Sequence, residues 1–568
     1  GSCAITRFRA TRHFSTSSAM DDLVSKLKDY LFRAGSGKPF DLATLNRIFA
    51  MLQDTDNQNL ASMALTKFFK TPQGARLAAS REVQGYVQMG LANSDESLVG
   101  MTLDLIQHAA ANNPDVAKPL RTRLLALLGH SEVSIAEKSR IVLVQSFLLQ
   151  PSFDSKFIST VFSLAPNILS PSSDRNLLAN TEAIASEAER AVRALTLCTD
   201  LALASESALA AFQKLDLLGT IMLTLEHASD DVLLQLSLFD VLSKFANSRE
   251  GLAWLTDSSI LSRLLDIASP RSSKNTILGE DEKSADSPLV VGVLNLFQLI
   301  GNQSQSFGIL KWVTETGTDS VMYRLRQSLT EYLHDVQTNL QRISTHVAAI
   351  GTVASVSRST KGLLFLSESA QVLPALVVSV REPLQLAALD GIALILETRH
   401  GATASIGAEA ESKTQSKVAP VTATPDKASA VQSALFDSIG GRSKVESMEF
   451  LLSIIKRPFD DARNASFRIL FSVARHSWGV QRIVSSAGAV EYLLNRSVVD
   501  FHSCREASPS KESLEWKFSI LQTISRHPSL ATLVGDAEIR GNLTQYVKQG
   551  PFYSERVAMV VGPVSRSN

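Results

Sequence analysis

Cysteine is nearly missing from this chain: Cys3, Cys198 and Cys504 are the three present in 568 residues, odd in number and far apart. That spacing supports neither a disulfide framework nor a cysteine-based metal cluster, so a reducing compartment is the default expectation. Aromatic side chains make up only 6% of the chain. Its 28 glycines and 18 prolines stay below the ~12% that the two reach together in average proteins. A chain short of turn formers and aromatics but rich in Leu, Ala and Ser is weighted toward helix. An excess of one charge is missing too, since 56 Lys and Arg balance 56 Asp and Glu. A general nucleic-acid binder needs surplus cations to neutralise phosphates, so nucleic acid is not an expected partner. No run reaches the ~18 apolar residues that cross a membrane. Even Leu289–Ile300 is interrupted by Gly292, Asn295 and Gln298, and no membrane partner is expected.

Residues 1–19 stand apart, with Arg7, Arg9, Arg12 and His13, many Ser and Thr, and no acid. This composition matches a mitochondrial transit peptide, and equally sequence lying ahead of a start at Met20. The segment is expected to be a disordered leader or upstream stretch and is set aside from fold reasoning.

From Met20 onward the apolar spacing is helical. Leu234, Leu238, Val241, Leu242 and Phe245 recur at i, i+4, i+7, i+8 and i+11, while Leu233, Leu236 and Phe239 fill other faces. This helix is expected to be buried on several sides. Similar segments lie near 59–69, 96–110, 136–148, 293–300, 383–397 and 464–475, and no run alternates as a strand would. The chain also resembles itself. Leu65-Thr-Lys-Phe-Phe-Lys-Thr-Pro-Gln-Gly74 aligns without a gap on Leu242-Ser-Lys-Phe-Ala-Asn-Ser-Arg-Glu-Gly251. A glycine followed by apolar residues one and four positions on recurs as Gly251/Leu252/Leu255, Gly308/Ile309/Trp312, Gly362/Leu363/Leu366 and Gly479/Val480/Ile483. Each is followed by another apolar helix, giving a unit of long helix, tight turn, short helix and second long helix. Successive glycines from Gly74 lie 177, 57, 54 and 117 residues apart. Once polar insertions near 270–288 and 401–428 are removed, most intervals become multiples of the ~40–47 residues of armadillo and HEAT units. The 54-residue interval alone stays too long.

The expected fold is therefore an all-α, armadillo/HEAT-like helical-repeat solenoid of roughly ten to twelve units. Its N-terminal part would span 20–400 and its C-terminal part 429–553, with 401–428 a flexible linker and 554–568 a tail. Residues 401–428 lack core-forming side chains, so their deletion is expected to leave folding intact. Such units bury a continuous core only by stacking, and the elongated curved surface they leave usually binds other proteins.

Chemistry-bearing motifs are weak. Gly35-Ser36-Gly37-Lys38 hints at a phosphate loop, but Phe32 and Pro39 occupy positions needing Gly and Ser or Thr. Asp54, Asp56 and Asn57 hint at a calcium loop, yet Asn59 and Leu65 replace the required Gly and Glu, leaving an inter-helix turn. His502 and Cys504, with His476 and His527, do not make a four-ligand zinc site. No Gly-x-Ser-x-Gly elbow or His-Glu-x-x-His helix occurs. No catalytic, cofactor or metal residue is assigned, and the chain is expected not to be an enzyme. An enzyme-regulatory subunit with a site between repeats would require a cleft gathering histidines.

The C-terminal run Lys511-Glu-Ser-Leu-Glu-Trp516-Lys517-Phe-Ser-Ile-Leu521 opens a helix, and Gly550-Pro551 would end the last one, because proline cannot continue it. Trp516 is expected to pack on the preceding repeat and seal the solenoid end. With Tyr546, Phe552-Tyr553, a short Val-rich tail and the upstream Ala487-Gly-Ala-Val-Glu-Tyr-Leu-Leu-Asn-Arg, this run resembles the family of 26S proteasome non-ATPase regulatory subunit 5, helical-repeat chaperones of regulatory-particle base assembly. The specific likeness covers about the last hundred residues. The resemblance implies stacked helices that cradle the C-terminal domain of one base AAA-ATPase subunit in its precursor module and leave before the mature particle forms. ATP would belong to that partner, and no contact residue carries over. It further implies a monomer when free and a cytoplasmic, also nuclear, location, from which the Arg-rich leader departs toward mitochondria. The alternative is a generic armadillo-type scaffold or cargo adaptor. The peptide-gripping Trp-x-x-x-Asn ladder of import receptors is absent, since Ser258, Thr316, Arg482 and Ile520 follow Trp254, Trp312, Trp478 and Trp516.

Overall fold

The computed structural model describes residues 17–32, 40–52, 56–148, 155–164, 187–228, 231–269, 287–309, 311–314, 317, 320–335, 342–398, 424–441, 445–496, 511–528 and 530–553. Among them no β-strand occurs, and apolar helix faces supply the core. Short polar residues start many helices. The side chains of Asp41, Thr71, Ser205, Ser248 and Ser359 each accept the backbone N–H three residues on, one of the donors that a helix start leaves unpaired. Compactness divides the chain at Val241/Leu242, inside a helix, into two units.

The first unit opens with α1 (Ser17–Phe32), α2 (Leu42–Met51) and α3 (Gln58–Phe69), then α4 (Pro72–Ala78), α5 (Arg81–Leu91) and α6 (Glu96–Ala110). Two 3-10 turns, Pro114–Val116 and Lys118–Leu120, lead into α7 (Arg121–Leu127) and α8 (Val133–Leu148). Next come α9 (Ser155–Leu164), α10 (Glu187–Ala202), α11 (Glu206–Lys214), α12 (Leu217–His227) and α13 (Val232–Ala246), within which the unit ends. The longer helices stack in file, α3 on α6, α6 on α8 and α8 on α10.

The second unit is built from triplets. α14 (Arg249–Asp257), α15 (Ile260–Ala268) and α16 (Pro288–Phe307) form one, and α17 (Lys311–Thr314), α18 (Val321–Asp335) and α19 (Ile343–Val356) the next. α20 (Thr360–Ser367), α21 (Val372–Val378) and α22 (Gln385–Glu397) follow, then α23 (Thr424–Ser438), α24 (Ser447–Ile455) and α25 (Asp460–Val473). α26 (Ser477–Ser485), α27 (Ala489–Leu494) and α28 (Lys511–Ser525) complete the series, and α29 (Leu530–Leu533) and α30 (Ala537–Gln549) close it. Like packs on like. The third helices run α16 on α19 on α22 on α25 on α28, while first helices meet first helices, as α14 meets α17 and α17 meets α20. This is the all-α armadillo/HEAT-like repeat architecture expected from the sequence.

The tight turn has a specific cause. Thr71, Ser248 and Ser359 Oγ accept the N–H of Gly74, Gly251 and Gly362 at 3.1, 2.9 and 3.0 Å. A Cβ on those glycines would lie 2.1, 2.6 and 2.2 Å from the carbonyl oxygens of Phe68, Phe245 and Val356, which end the preceding long helices. Gly479 sits alike, 2.0 Å from Val473 O, behind His476. Only a residue without a Cβ lets the next helix start so close to the last.

Several expectations need correction. Gly308 does not belong to this set. It ends α16 in the left-handed conformation (φ 71°), its N–H and that of Ile309 donating to Ser304 O. The repeat interval is instead Gly251 to Gly362, which contains two triplets. Without residues 270–286 that leaves about 47 residues per triplet, and the anomalous 54-residue interval disappears. α13 is not buried on several sides: Phe239 is enclosed, but Leu233 is 77% and Leu236 43% exposed. α1 begins at Ser17, inside the stretch 1–19 set aside as a leader, and residues 1–16 lie outside the described residues. α23 begins at Thr424 and buries Ala428, so helix replaces the end of the 401–428 linker and a deletion of that whole stretch would cut into the core. Residues 401–423 and the 554–568 tail lie outside the described residues.

Two alanine substitutions of opposite sign test the turn. Gly362→Ala should cost about 1–3 kcal/mol in urea unfolding, because Val356 O cannot retreat without breaking the helix end. Gly541→Ala, in α30 with open space around its Cα, should instead stabilise by about 0.5–1 kcal/mol. Equal effects at the two sites would refute the turn argument.

Candidate functional site

Described side chains that could do chemistry are occupied with structure. Cys198 is fully enclosed, and burial pushes its thiol well above the ordinary range, away from nucleophilic use. His476 Nε2 bonds Leu396 O at 2.8 Å and its ring stacks on Trp478. His502, Cys504, Asp54 and the glycine loop 35–38 lie outside the described residues, while Asp56 and Asn57 form the turn entering α3. Among the described residues no three His, Cys, Asp or Glu side chains gather as a metal site. A cavity of about 190 Å³ between α15 and α18 is lined by Leu265, Ser269, Arg324, Gln327, Ser328 and Glu331. Small-molecule sites start at about 300 Å³ and are mostly apolar, so this one suits solvent better.

Each of the four tryptophans packs on a phenylalanine, Trp312 fully buried and the other three half-buried. Trp254 meets Phe245 edge-on at 5.3 Å, Trp312 packs on Phe297 and donates to Ser304 Oγ at 2.9 Å, and Trp478 packs on Phe436. Trp516 meets Phe471 of α25 edge-on at 6.1 Å, so it packs on the preceding repeat as expected. It does not seal the end, because α30 packs beyond it on α28. No row of exposed indoles is left to grip a peptide.

The two stretches that carry the family likeness come together in space. Lys517 is fully buried, yet Nζ donates to Asn495 O at 3.2 Å and lies 4.1 Å from the centre of the Tyr492 ring. The Arg496 guanidinium covers the Tyr546 ring at 3.6 Å and donates to Tyr546 O at 3.1 Å, Gly550 O at 3.0 Å and Gln549 Oε1 at 3.3 Å. One side chain thereby meets Tyr546 O in the last turn of α30 and Gly550 O just past it. Gly550, at φ 84°, turns the chain out of that helix as read from the sequence, and Lys511 Nζ then lies 5.7 Å from the Phe552 ring. Sequence reasoning included Arg496 as the last residue of a motif and missed its role, though an arginine at a helix end is itself the cue. The residues that carry the resemblance thus clasp α27 to α28 and to α30.

The structure also leaves apolar surface exposed, which periodicity alone did not reveal. Leu233 and Leu236 are open on α13, and in the second unit Ile343 and Val347 of α19 and Leu386 of α22 are each about 40% exposed. The clasp can be tested directly. Arg496→Ala should cost about 2–3 kcal/mol, and Arg496→Lys should recover only part, because an ammonium cannot fork over three acceptors. Burial also lifts the phenol of Tyr546 above its ordinary value of 10.0, against the pull of Arg496. A raised phenol keeps its proton in the fold after the unfolded chain has lost its own. Its contribution is therefore whole below pH 10.0 and is lost as pH climbs through the folded value. In urea titrations across that pH, Tyr546→Phe should flatten the alkaline fall in stability by up to about 1.4 kcal/mol per pH unit.

Known proteins were compared with this geometry in hand. Residues 419–564 match the family described as Proteasome non-ATPase 26S subunit. The 26S proteasome non-ATPase regulatory subunit 5 of Homo sapiens is 23% identical, and that of Bos taurus 22% identical, over 113 residues. The match spans 20% of this chain and about a fifth of the length of those relatives. Among solved structures, Kap121p is similar at a TM-score of 0.43 with 10% identity, covering 93% of this chain and 56% of that one. Importin beta is similar at 0.39 with 11% identity, covering 94% of this chain and 66% of that one. The fold assignment rests on the chain's own helices. Residues 419–564, which contain both halves of the Arg496 clasp, are thus similar to the proteasome non-ATPase regulatory subunits that the C-terminal run resembles.

Proposed function

We propose that this protein is a non-enzymatic assembly chaperone of the proteasome regulatory particle. It holds the C-terminal domain of one base AAA-ATPase subunit in a precursor module and is released before the mature particle forms. The observation that carries this reading is the family match over 419–564, whose matched helices include the Arg496 clasp. A file of stacked helices supports it as well, since it offers broad surface and little enclosed space. The mechanism is steric: a partner domain covered by the repeats cannot meet its later neighbours. ATP stays with the partner, and the protein works as a monomer in the cytoplasm and nucleus. The cargo-adaptor alternative loses ground because each of the four tryptophans is engaged by a phenylalanine ring of its own chain.

The test uses the purified full chain and each base ATPase C-terminal domain in turn, by calorimetry and sedimentation. One domain should bind at one-to-one stoichiometry, with affinity unchanged by ATP, and the chain alone should not hydrolyse ATP. Failure of every domain to bind, or stoichiometric retention in the mature particle, would overturn the proposal.

A further inference from the structure

The third helices α19, α22 and α25 carry an exposed side that the fold leaves unexplained. Ile343 and Val347 lie one turn apart on α19, and Leu386 and Asp390 one turn apart on α22, so each pair shares a face. The helices are close: a Cβ on Gly391 would lie 3.0 Å from Ile350 Cγ2 and 3.7 Å from Ala354 Cβ of α19. Three aliphatic side chains therefore stand in solvent on adjacent helices, beside a carboxylate.

The charges around that carboxylate do not cancel. Arg468 of α25 approaches Asp390 Oδ1 only to 3.9 Å, while its other nitrogen bonds Glu397 Oε2 at 3.2 Å. Arg475 also leans on Glu397, at 3.9 Å. On the other side of Asp390, Asp461 repels it. The acids that open α25 and α28, Asp461 and Glu512, are accounted for by helix dipoles and, for Glu512, a hydrogen bond from Asn464. Asp390 is past the first turn of α22 and gains nothing from its dipole. Half buried, it is held above the usual carboxylate range by desolvation, with Asp461 adding to the effect and Arg468 opposing it. A cation brought from outside would neutralise it.

We propose that the exposed side of α19 and α22, with Ile343, Val347 and Leu386 as its apolar part and Asp390 with Asp461 as its acidic part, is a docking surface for a basic, apolar-faced helix of a protein partner. The occupant is set by charge complementarity. An acidic segment would bring like charge against Asp390 and Asp461, and a purely apolar one would desolvate Asp390 without replacing its hydration. A helix with Leu on one face and Lys or Arg beside it does both jobs. This inference deepens the reading that the chain acts by holding a protein partner, and it rests on that reading for its purpose.

The first probe is a labelled amphipathic Leu/Lys helix of about 18 residues, titrated with the full chain by fluorescence anisotropy. The triple variant Val347→Ser/Leu386→Ser/Asp390→Asn should bind at least about tenfold more weakly. A control variant in the first unit, Leu233→Ser/Leu236→Ser, should bind as the unaltered chain does. Equal binding by the triple variant, or an equal loss in the control, would overturn the surface. Should the triple variant melt early, Leu386→Lys repeats the test by repulsion at an exposed position. The second probe is whichever ATPase C-terminal domain binds the unaltered chain. The triple variant should lose that domain by the same factor, and undiminished binding would overturn this inference while leaving the assembly role standing. If no ATPase domain binds yet the peptide loss is found, the surface stands and the assembly role falls.

Discussion

Every α-helix ends with carbonyls that its own turns cannot satisfy, and the described residues, which form about thirty helices, meet that problem about thirty times over. The structure depends on how those ends are met. Gln84 Nε2 donates to Ala78 O and Val116 O, and Gln432 Nε2 to Ile395 O and Thr398 O. Arg123 reaches Leu91 O, Arg193 reaches Leu128 O, Arg326 reaches Phe365 O, and Arg496 closes α30. In each case a side chain from one helix completes the end of another, often in the neighbouring repeat. Stacking is then more than apolar burial. A stack lacking these donors would leave the last carbonyls facing an apolar neighbour unpaired, at a cost of about 1–3 kcal/mol each.

That constraint explains why the family likeness sits where it does. Lys511, Trp516, Lys517, Tyr546 and Gly550 read as a string of unusual residues in a helical background, which invites a search for a binding motif. The fold spends them on itself: Trp516 on Phe471, Lys517 on Asn495 and Tyr492, Tyr546 and Gly550 on Arg496. Lys517 ties α28 to α27 inside one triplet, and Arg496 ties the end of α27 to the closing α30. The two relatives share about 22–23% identity over only 113 residues.

Much of the fold was legible. The 3.6-residue spacing located α3, α6, α8, α22 and α25 to within a few residues, since each buries one continuous face. The gapless match of Leu65–Gly74 with Leu242–Gly251 is the turn itself, Oγ cap and bare glycine together. Gly308 misled because a glycine followed by apolar residues describes both a helix start and a helix end. The distinguishing residue lies three positions earlier: Thr71, Ser248, Ser359 and His476 hold the N-cap, whereas Gln305 precedes Gly308 inside α16.

Exposure was the part that periodicity could not supply. Leu233 and Leu236 looked like extra buried faces because a helix in a stack is covered on as many sides as it has neighbours, and a lone helix pattern does not count neighbours. The same holds for Ile343, Val347 and Leu386, each one residue in an apolar run of which the rest is core. Asp390 is the more telling case. In sequence it is an ordinary acid between Leu389 and Gly391; in the fold, Gly391 brings α22 against α19 and half buries the carboxylate beside it. The close approach that makes the repeat compact is therefore also what leaves Asp390 under-neutralised. In a fold of this kind, packing and recognition are set by neighbouring residues of the same helix.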